Sequence, residues 1–262
     1  MGHTIHLRGW KRSKPHPEDL RHPKGIFDFL KPLPSVIDLA PFCSPVEDQG
    51  NIGSCVGNAT VGQLELLMRR VYNVSLDLSR LMVYYGARQL EGTQPEEDSG
   101  CEVRDAYKFM AKTGTCLESL WPYVEDKFSE APSAEAYADA KLRKILKYYT
   151  LAPSSRAPSI NTLKQALNKG YGVTFGFSVP SWFIERVGND GVMPMPKPND
   201  KFDGGHAVLL VGCNDRTRLM KVRNSWGPTW GERGYFYMPY DFISNSDCCA
   251  DFWYATAEGL GK

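Results

Sequence analysis

The sequence predicts an α+β protein of two lobes with a cleft between them. Up to about residue 150, apolar residues recur mainly at helical spacing, and from about residue 173 they alternate with a period of two. A helical part followed by a β-rich part is typical of an α+β fold. The length of 262 residues allows a sizeable core. A functional site is then expected in the cleft.

The helical part is predicted from apolar spacing and from stop residues. After a short strand at residues 36–39, helices are predicted at residues 55–71, 78–90, 103–112 and 133–149. The third of these carries its apolar residues on one face and ends at Gly114. These segments define the first lobe and its border with the second.

The β-rich part begins after one more predicted helix at residues 159–168. Strands are then predicted at residues 173–179, 207–211, 219–224 and 235–238. The segment 187–203 contains three prolines and is predicted to be an irregular loop at the rim of the cleft.

Residues 1–34 are predicted to form an N-terminal arm outside the folded domain, which spans residues 35–262. The arm has seven basic against three acidic residues and five prolines, a composition that buries little surface by itself. The apolar cluster at residues 26–30 should dock on the domain. A solvated tail is one alternative, and a basic segment that contacts nucleic acid or anionic partners is another.

Charge and hydropathy exclude several classes of protein. Thirty-one basic residues are balanced by thirty acidic residues, so the net charge of +1 makes nucleic-acid binding unlikely and indicates no membrane surface. No apolar run approaches the ~20 residues of a membrane helix, and residues 1–15 lack the apolar segment of a signal peptide. We therefore expect a cytoplasmic protein, or one exported by a leaderless route, and a monomer is favoured.

Seven cysteines allow either one reactive thiol with up to three bridges or a fully reduced set. The adjacent pair Cys248 and Cys249 lacks the ligand spacing of a zinc site, so no metal and no cofactor are predicted. The possible bridges join this pair to Cys213 or Cys43, and Cys101 to Cys116.

The stretch of residues 49–71 carries the candidate nucleophile. Gly50 and Gly53 allow a tight turn, and apolar residues at helical spacing follow it. Cys55 therefore lies in the first turn of a predicted buried helix, where free amide donors and the helix dipole favour a thiolate. A small buried core cysteine is the alternative interpretation.

His206 is the candidate general base. The other four histidines of the sequence lie in the arm, so His206 is the one histidine of the predicted domain. It stands at the start of the apolar strand 207–211 and projects from a strand end. A structural histidine is the alternative, but a cysteine nucleophile needs a base that a third group orients.

Asn224 is the candidate orienting group. It shares its strand face with apolar residues, so its amide should point inward and have a partner, which His206 can provide. Trp226 can shield this hydrogen bond from water, although ordinary core packing is the alternative for the tryptophan. Gln49 can donate its side-chain N–H beside the Cys55 N–H, and the two would form an oxyanion hole.

Three sequence blocks now stand in order. Residues 49–55 read Gln-Gly-Asn-Ile-Gly-Ser-Cys, residues 205–208 read Gly-His-Ala-Val, and residues 224–235 read Asn-Ser-Trp-Gly-Pro-Thr-Trp-Gly-Glu-Arg-Gly-Tyr. Together they resemble the papain family of cysteine peptidases. The resemblance implies a papain-like two-lobed fold with the active-site cleft between a helical left lobe and a β-barrel-like right lobe. The left lobe would span about 44–130, and the right lobe about 131–262 plus 35–43.

The resemblance also implies roles for single residues and a reaction. The catalytic positions of the family are matched by Cys55 as nucleophile, His206 as base, Asn224 as orienting residue and Gln49 as oxyanion donor. The substrate-binding residues that we expect are Gly100, Gly205 and Trp226. The implied activity is a cysteine endopeptidase that cleaves polypeptide substrates through an acyl-thioester.

The sequence departs from the family pattern at several positions. Ile52 and Val56 replace the usual cysteine and tryptophan near the nucleophile, and the stretch 98–101 has one glycine where the family has two. We therefore expect a divergent branch, microbial or viral. The short arm would act as a pro-segment whose cluster at residues 26–30 lies in or near the cleft and restrains activity.

Two other functions use the same residues. An acyl or amide transferase would pass the thioester to an amine instead of water. A non-catalytic binding protein could keep the scaffold alone, but all four catalytic positions are filled, which favours an enzyme.

Overall fold

The computed structural model describes residues 7–23, 25, 27, 29–145, 147–153 and 155–257. Its first lobe is built on three helices, α1 (Cys55–Tyr72), α2 (Arg80–Leu90) and α3 (Val103–Lys112). Helix α1 packs on α2 and α3 and also on the sheet of the second lobe. Because both faces of α1 are covered, its first fourteen residues are all buried.

The helix boundaries follow from local capping. The side chain of Ser79 accepts a hydrogen bond from the Met82 N–H at the start of α2, as N-cap serines do. Asn73 adopts a left-handed conformation, with φ of 54°, and ends α1. The observed bounds of α1, α2 and α3 confirm the three helices predicted from apolar spacing, with α2 starting two residues later.

The second lobe is a seven-stranded antiparallel sheet. Its strands follow the order β4 (Tyr148–Thr150), β9 (Cys249–Ala255), β5 (Val173–Pro180), β6 (Phe202–Asn214), β7 (Leu219–Arg223) and β8 (Tyr235–Pro239), and β2 (Val36–Asp38) pairs with β6. Within the described ranges β4 and β8 do not pair, so the sheet is open rather than a closed barrel. The two-lobed α+β prediction is confirmed.

Four shorter helices flank the sheet and the lobe border. They are α4 (Ala134–Ala140), α5 (Ile160–Asn168), α6 (Phe183–Asp190) and α7 (Tyr240–Ile243). The N-cap of α5 is Ser159, whose side chain accepts a hydrogen bond from the Thr162 N–H. This helix confirms the prediction for residues 159–168.

Two sequence predictions in this region are wrong. The helix expected at 133–149 ends at Ala140, and residues 148–150 form strand β4, because two tyrosines and a threonine favour a strand that pairs with β9. The segment 187–203 was expected to be a loop, but its residues 187–190 belong to α6. Gly191, with φ of +74°, caps the C-terminal end of this helix. Val187 is buried on the inner face of that helix.

The cysteine bridges considered from the sequence do not form. All seven cysteines are free thiols, and six of them are buried. In the ranges that the structure describes, no group of three His, Cys, Asp or Glu side chains is arranged to hold a metal ion. Searched over the same residues, the helices include none with the length and apolar character needed to cross a membrane.

The arm is docked along the domain instead of being a solvated tail. Strand β1 (Trp10–Lys11) pairs in parallel with β3 (Cys101–Glu102) of the helical lobe. Further along, the arm forms a parallel bridge between Arg21 and Thr150 at the edge of the sheet. Arg104 of α3 holds the part between these points, because its side chain hydrogen bonds to both carboxylate oxygens of Asp19.

Candidate active site

Cys55 is the first residue of α1 and is fully buried at the border of the two lobes. Its Sγ accepts a hydrogen bond from the Ala207 N–H of β6, at 3.4 Å. Since Ala207 follows His206 directly, this contact brings the helix start of one lobe against the histidine strand of the other. From sequence patterns alone, Cys55 and His206 were placed on separate elements, 151 positions apart in the chain.

His206 is held by Asn224 and by Trp226. The His206 Nε2 and the Asn224 Oδ1 are 2.7 Å apart, and the Trp226 ring stacks on the imidazole with centroids 4.5 Å apart. Because an amide oxygen can only accept, Nε2 carries the hydrogen of this bond. The neutral ring therefore leaves Nδ1 as its acceptor, and Nδ1 is buried without a hydrogen-bond partner among the described residues.

Burial favours the uncharged forms of the Cys55 thiol and of the His206 imidazole. It raises the pKa of the Cys55 thiol to about 12, although the Ala207 N–H and the amides at the start of α1 lower it. It lowers the pKa of His206 to about 4, although the hydrogen bond to Asn224 raises it. The thiolate predicted from the helix start is therefore not favoured here, because loss of water outweighs the amide donors.

Gln49 lies beside the helix start but is engaged on both sides of its amide. Its Nε2 donates to the Ile52 carbonyl at 3.0 Å, and its Oε1 accepts from the Ser225 hydroxyl at 2.7 Å. The Gln49 backbone N–H also donates to the Ser225 carbonyl at 2.8 Å. These bonds tie the loop before Cys55 to the loop after Asn224. The second N–H of the amide stays available for the oxyanion role, which remains a prediction.

The first described residues of the arm cover Cys55. A Cβ built on Gly9 would lie 2.6 Å from the Cys55 Sγ and 2.7 Å from the Gly53 carbonyl oxygen. These distances are too short for any side chain, so only glycine fits at this position of the arm, next to the Cys55 sulfur. The buried state of Cys55 is thus a consequence of the arm lying across the cleft.

The arm joins both walls of the cleft through the predicted substrate-binding glycines. The Gly205 N–H donates to the Leu7 carbonyl at 2.7 Å, and the Cys101 N–H donates to the Gly9 carbonyl at 3.0 Å. A Cβ on Gly100, whose φ is +69°, would meet the Arg8 carbonyl oxygen at 2.4 Å. Gly100 and Gly205 therefore lie where an extended chain binds, while Trp226 contacts the histidine instead.

The predicted position of the arm in the cleft is wrong in one respect. Phe27 of the apolar cluster is buried in a different core cluster from Cys55, with its ring stacked on His22 at 3.7 Å. Phe29 is 55% exposed and Leu30 is 96% exposed, while Ile26 lies outside the described residues. Residues 7–13 occupy the cleft instead, because their glycine and extended backbone fit over the sulfur.

Sequence reasoning missed a pocket that the arm fills. Trp10 follows Gly9 and inserts between the lobes, and its indole Nε1–H donates to the Asp251 carboxylate at 2.9 Å. Asp251 lies on β9, a strand that the sequence analysis did not predict. A single tryptophan in the basic, proline-rich arm was the one available signal for this contact.

Comparison with known proteins finds one family model and several similar chains. The family model described as papain family cysteine protease matches residues 33–251. A peptidase C1-like protein of Acanthamoeba polyphaga mimivirus is 37% identical over 234 residues, which are 87% of this chain and 73% of that protein. Cysteine proteinase 1 of Entamoeba histolytica is 27% identical over 74% of this chain, which spans 59% of the relative's length.

Solved structures show the same architecture. The crystal structure of xylellain, a cysteine protease from Xylella fastidiosa, has a TM-score of 0.87 and 34% identity and covers 98% of each chain. Digestive procathepsin L 3 of Tenebrio molitor has a TM-score of 0.66 and 21% identity over 94% of this chain and 76% of that one, a likeness that shows the fold alone. The viral and bacterial relatives agree with the divergent branch expected from the sequence.

Proposed function

Because this chain belongs to the papain family of cysteine proteases, we propose that it hydrolyses peptide bonds with Cys55 as the nucleophile. His206 acts as general base and acid, and Asn224 orients its ring. One observation carries this proposal: the Asn224 hydrogen bond fixes the imidazole with an acceptor nitrogen free, on the strand whose next residue donates to the Cys55 sulfur.

The reaction follows from this arrangement. His206 Nδ1 accepts the thiol proton as Sγ attacks the scissile carbonyl carbon, and the carbonyl oxygen becomes an oxyanion. The Cys55 N–H and the Gln49 amide stabilise that charge. The imidazolium then returns its proton to the leaving amine, and a thioester remains. Water, deprotonated by the same imidazole, attacks the thioester and releases the acid and the free thiol.

We also propose that the arm restrains this activity. Gly9 separates the sulfur from solvent, and the arm occupies the backbone positions at Gly100 and Gly205. A substrate can reach Cys55 only after residues 7–13 leave the cleft. Release readmits water, so the pKa of the thiol falls and that of the imidazole rises, and both changes favour the reactive ion pair.

The activity is tested on the full chain with a fluorogenic peptide library and an epoxysuccinyl peptide. We expect cleavage and covalent labelling, and both should be lost in Cys55→Ala. An added amine nucleophile separates hydrolysis from acyl transfer, since a transferase would give the amide product. A folded chain that neither cleaves nor labels, even with the arm displaced, would contradict the proposal.

The restraint is tested by Gly9→Ala in the full chain. The added methyl group collides with the sulfur, so the arm should leave the cleft and iodoacetamide should modify Cys55 faster, as should the epoxysuccinyl peptide. Glu18→Ala is the matched control, because it also changes one residue of the arm but at an exposed position. Equal labelling rates in Gly9→Ala and in the unmodified chain would show that the arm does not limit access.

A further inference from the structure

The loop that precedes Cys55 is held by a carboxylate of the helical lobe. The Gly53 N–H donates to both carboxylate oxygens of Asp98, at 2.9 and 3.0 Å. Gly53 lies two residues before Cys55, the first residue of α1. Hydrogen bonds to a charged acceptor are stronger than those between neutral groups. Asp98 therefore holds the backbone from which α1 begins.

The same carboxylate is connected to the wall of the cleft. The Tyr84 hydroxyl donates to the Asp98 Oδ1 and accepts from the Gly100 N–H at 3.1 Å. The loop and the wall are neighbours, since a Cβ on Gly53 would lie 3.4 Å from the Gly100 nitrogen. Gly100 also faces the arm, because a Cβ there would meet the Gly9 carbonyl oxygen at 2.5 Å. A continuous chain of hydrogen bonds thus joins Gly53 to Gly100.

The middle of this chain is fixed by buried contacts. Tyr84 is fully buried on α2, where a Cβ on Gly57 of α1 would lie 3.3 Å from the Tyr84 Cβ. Arg88 is also fully buried, and its guanidinium carbon lies 4.5 Å from the centre of the Tyr84 ring. The same guanidinium donates to two carbonyls of the segment 95–97, both at 2.8 Å. Because this segment leads directly to Asp98, both partners of the Tyr84–Asp98 hydrogen bond are held in place.

The link does not depend on a disulfide. Ile52 stands where the family usually has a cysteine, and all seven cysteines of the chain are free thiols. Two other polar partners of the loop, Tyr123 and Glu125, lie outside the wall segment 98–101. The spacing between the start of α1 and the wall therefore depends on Asp98 and its hydrogen bonds.

Asp98 also acts on Cys55 through its charge. Burial is the main cause that raises the pKa of the Cys55 thiol, and the negative charge of Asp98 raises it further. An asparagine at this position would remove the charge and keep an acceptor oxygen for the Gly53 N–H. The effect of the hydrogen bond can therefore be separated from that of the charge by comparing Asp98→Asn with Asp98→Ala.

We infer that Asp98 is a positioning residue: it keeps the Cys55 sulfur aligned with the cleft wall at Gly100. The arm's backbone lies on this wall, where the Cys101 N–H donates to the Gly9 carbonyl, and a substrate's backbone takes that place after release. When the hydrogen-bond chain is broken, a peptide bound on the wall presents its carbonyl carbon out of line with the sulfur. This inference rests on the proposed peptidase activity for its consequence, but the chain itself can be tested without catalysis.

The first test compares two reagents on full-length Gly9→Ala, in which the arm is expected to leave the cleft. Iodoacetamide is small and does not use the wall, so its rate reports the reactivity of Cys55 alone. The epoxysuccinyl peptide reaches the same sulfur while its backbone lies on the wall. The ratio of the two labelling rates therefore reports alignment, and a change in thiol pKa affects both reagents.

Five substitutions are each combined with Gly9→Ala. Asp98→Ala removes the acceptor, Asp98→Asn keeps one acceptor oxygen, and Tyr84→Phe removes the hydroxyl but keeps the ring. The matched controls are Glu97→Gln, an exposed acidic neighbour of Asp98, and Tyr85→Phe, a partly exposed neighbour of Tyr84 on α2. Circular dichroism of each variant confirms that the domain is folded.

Asp98→Ala should lower the ratio of epoxysuccinyl to iodoacetamide labelling about tenfold or more, because a small misplacement of reacting atoms is costly. Tyr84→Phe should lower the ratio in the same direction. Asp98→Asn should stay within about threefold of Gly9→Ala alone, because its oxygen still accepts from the Gly53 N–H. A ratio in Asp98→Ala equal to that of the two controls would overturn the inference.

The second test measures hydrogen exchange of the full chain with Gly9 intact, followed by mass spectrometry. Asp98→Ala should speed exchange about tenfold or more in a peptide that contains Gly53, and Tyr84→Phe should do so in one that contains Gly100. Unchanged exchange at Gly53 in Asp98→Ala would overturn the inference. Faster exchange there, with no labelling of Cys55 by either reagent once the arm is displaced, would refute the peptidase and leave the link between loop and wall standing.

Discussion

Glu65 on α1 gives the protein a stability that depends on pH. The carboxyl is buried inside α1, where its Oε2 accepts from the Ser44 hydroxyl at 2.5 Å and its Oε1 accepts from the Leu78 N–H at 2.9 Å. Burial raises its pKa to about 7, although these two bonds and the nearby Arg223 lower it. Replacing it by glutamine keeps an acceptor for the Leu78 N–H and removes the ionisation. The glutamine N–H then faces the Ser44 hydroxyl, which can turn to accept from it.

The size of the effect follows from the two pKa values. The folded state binds the proton more tightly than an unfolded chain, in which the Glu65 pKa is about 4.5. Stability is therefore lost as pH rises from about 4.5 through about 7 and then stays constant. Since one pKa unit corresponds to about 1.4 kcal/mol, this carboxyl should cost the folded state about 3 kcal/mol above pH 8.

Urea unfolding of the unmodified chain and of Glu65→Gln at pH 5 and pH 8 measures this difference. The unfolding free energy of the unmodified chain should drop relative to that of Glu65→Gln by roughly 2 to 3 kcal/mol between the two pH values, because a small part of the effect is already lost at pH 5. Glu135→Gln, at an exposed position on α4, controls for a general effect of charge and should leave the pH dependence unchanged. Parallel pH profiles for Glu65→Gln and the unmodified chain would refute the reasoning.

Two more substitutions test other contacts. Asn224→Ala removes the hydrogen bond that orients His206, so kcat on a peptide substrate should fall about 10- to 100-fold, and an unchanged kcat would exclude the orienting role. Arg104→Met removes the hydrogen bonds that hold Asp19 of the arm on α3. Trypsin should then cut the full chain after the nearby Arg21 roughly tenfold faster or more. The control is Lys108→Met on the same helix, which should not change that rate.

The residues of the candidate site could be named from the sequence because each belongs to a local pattern. Cys55 follows a glycine turn and opens an apolar helix, His206 begins an apolar strand, and Asn224 shares a face with buried residues. Such patterns depend on neighbours in the chain. The structure then shows how these elements meet. Cys55 contacts Ala207, and His206 contacts Asn224.

The pocket and the path of the arm could not be predicted in the same way. The cleft exists only after both lobes have folded. The sequence of the arm therefore does not show that Gly9 fits over a sulfur or that Trp10 fits beside Gly176. Strand β9 was missed because all seven of its residues are buried, which removes the alternation that marks a half-exposed strand. Without β9, Asp251 had no assigned place.

The covalent link between the arm and the domain sets how a substrate competes for the cleft. Tethered segments act at an effective concentration that is commonly in the millimolar range. Dilution of the protein does not change this value, so a peptide added at micromolar concentration competes at a disadvantage however dilute the enzyme is. Cutting the chain between Leu30 and Ser35 would turn the same contacts into an ordinary bimolecular equilibrium, in which dilution alone lets the arm leave.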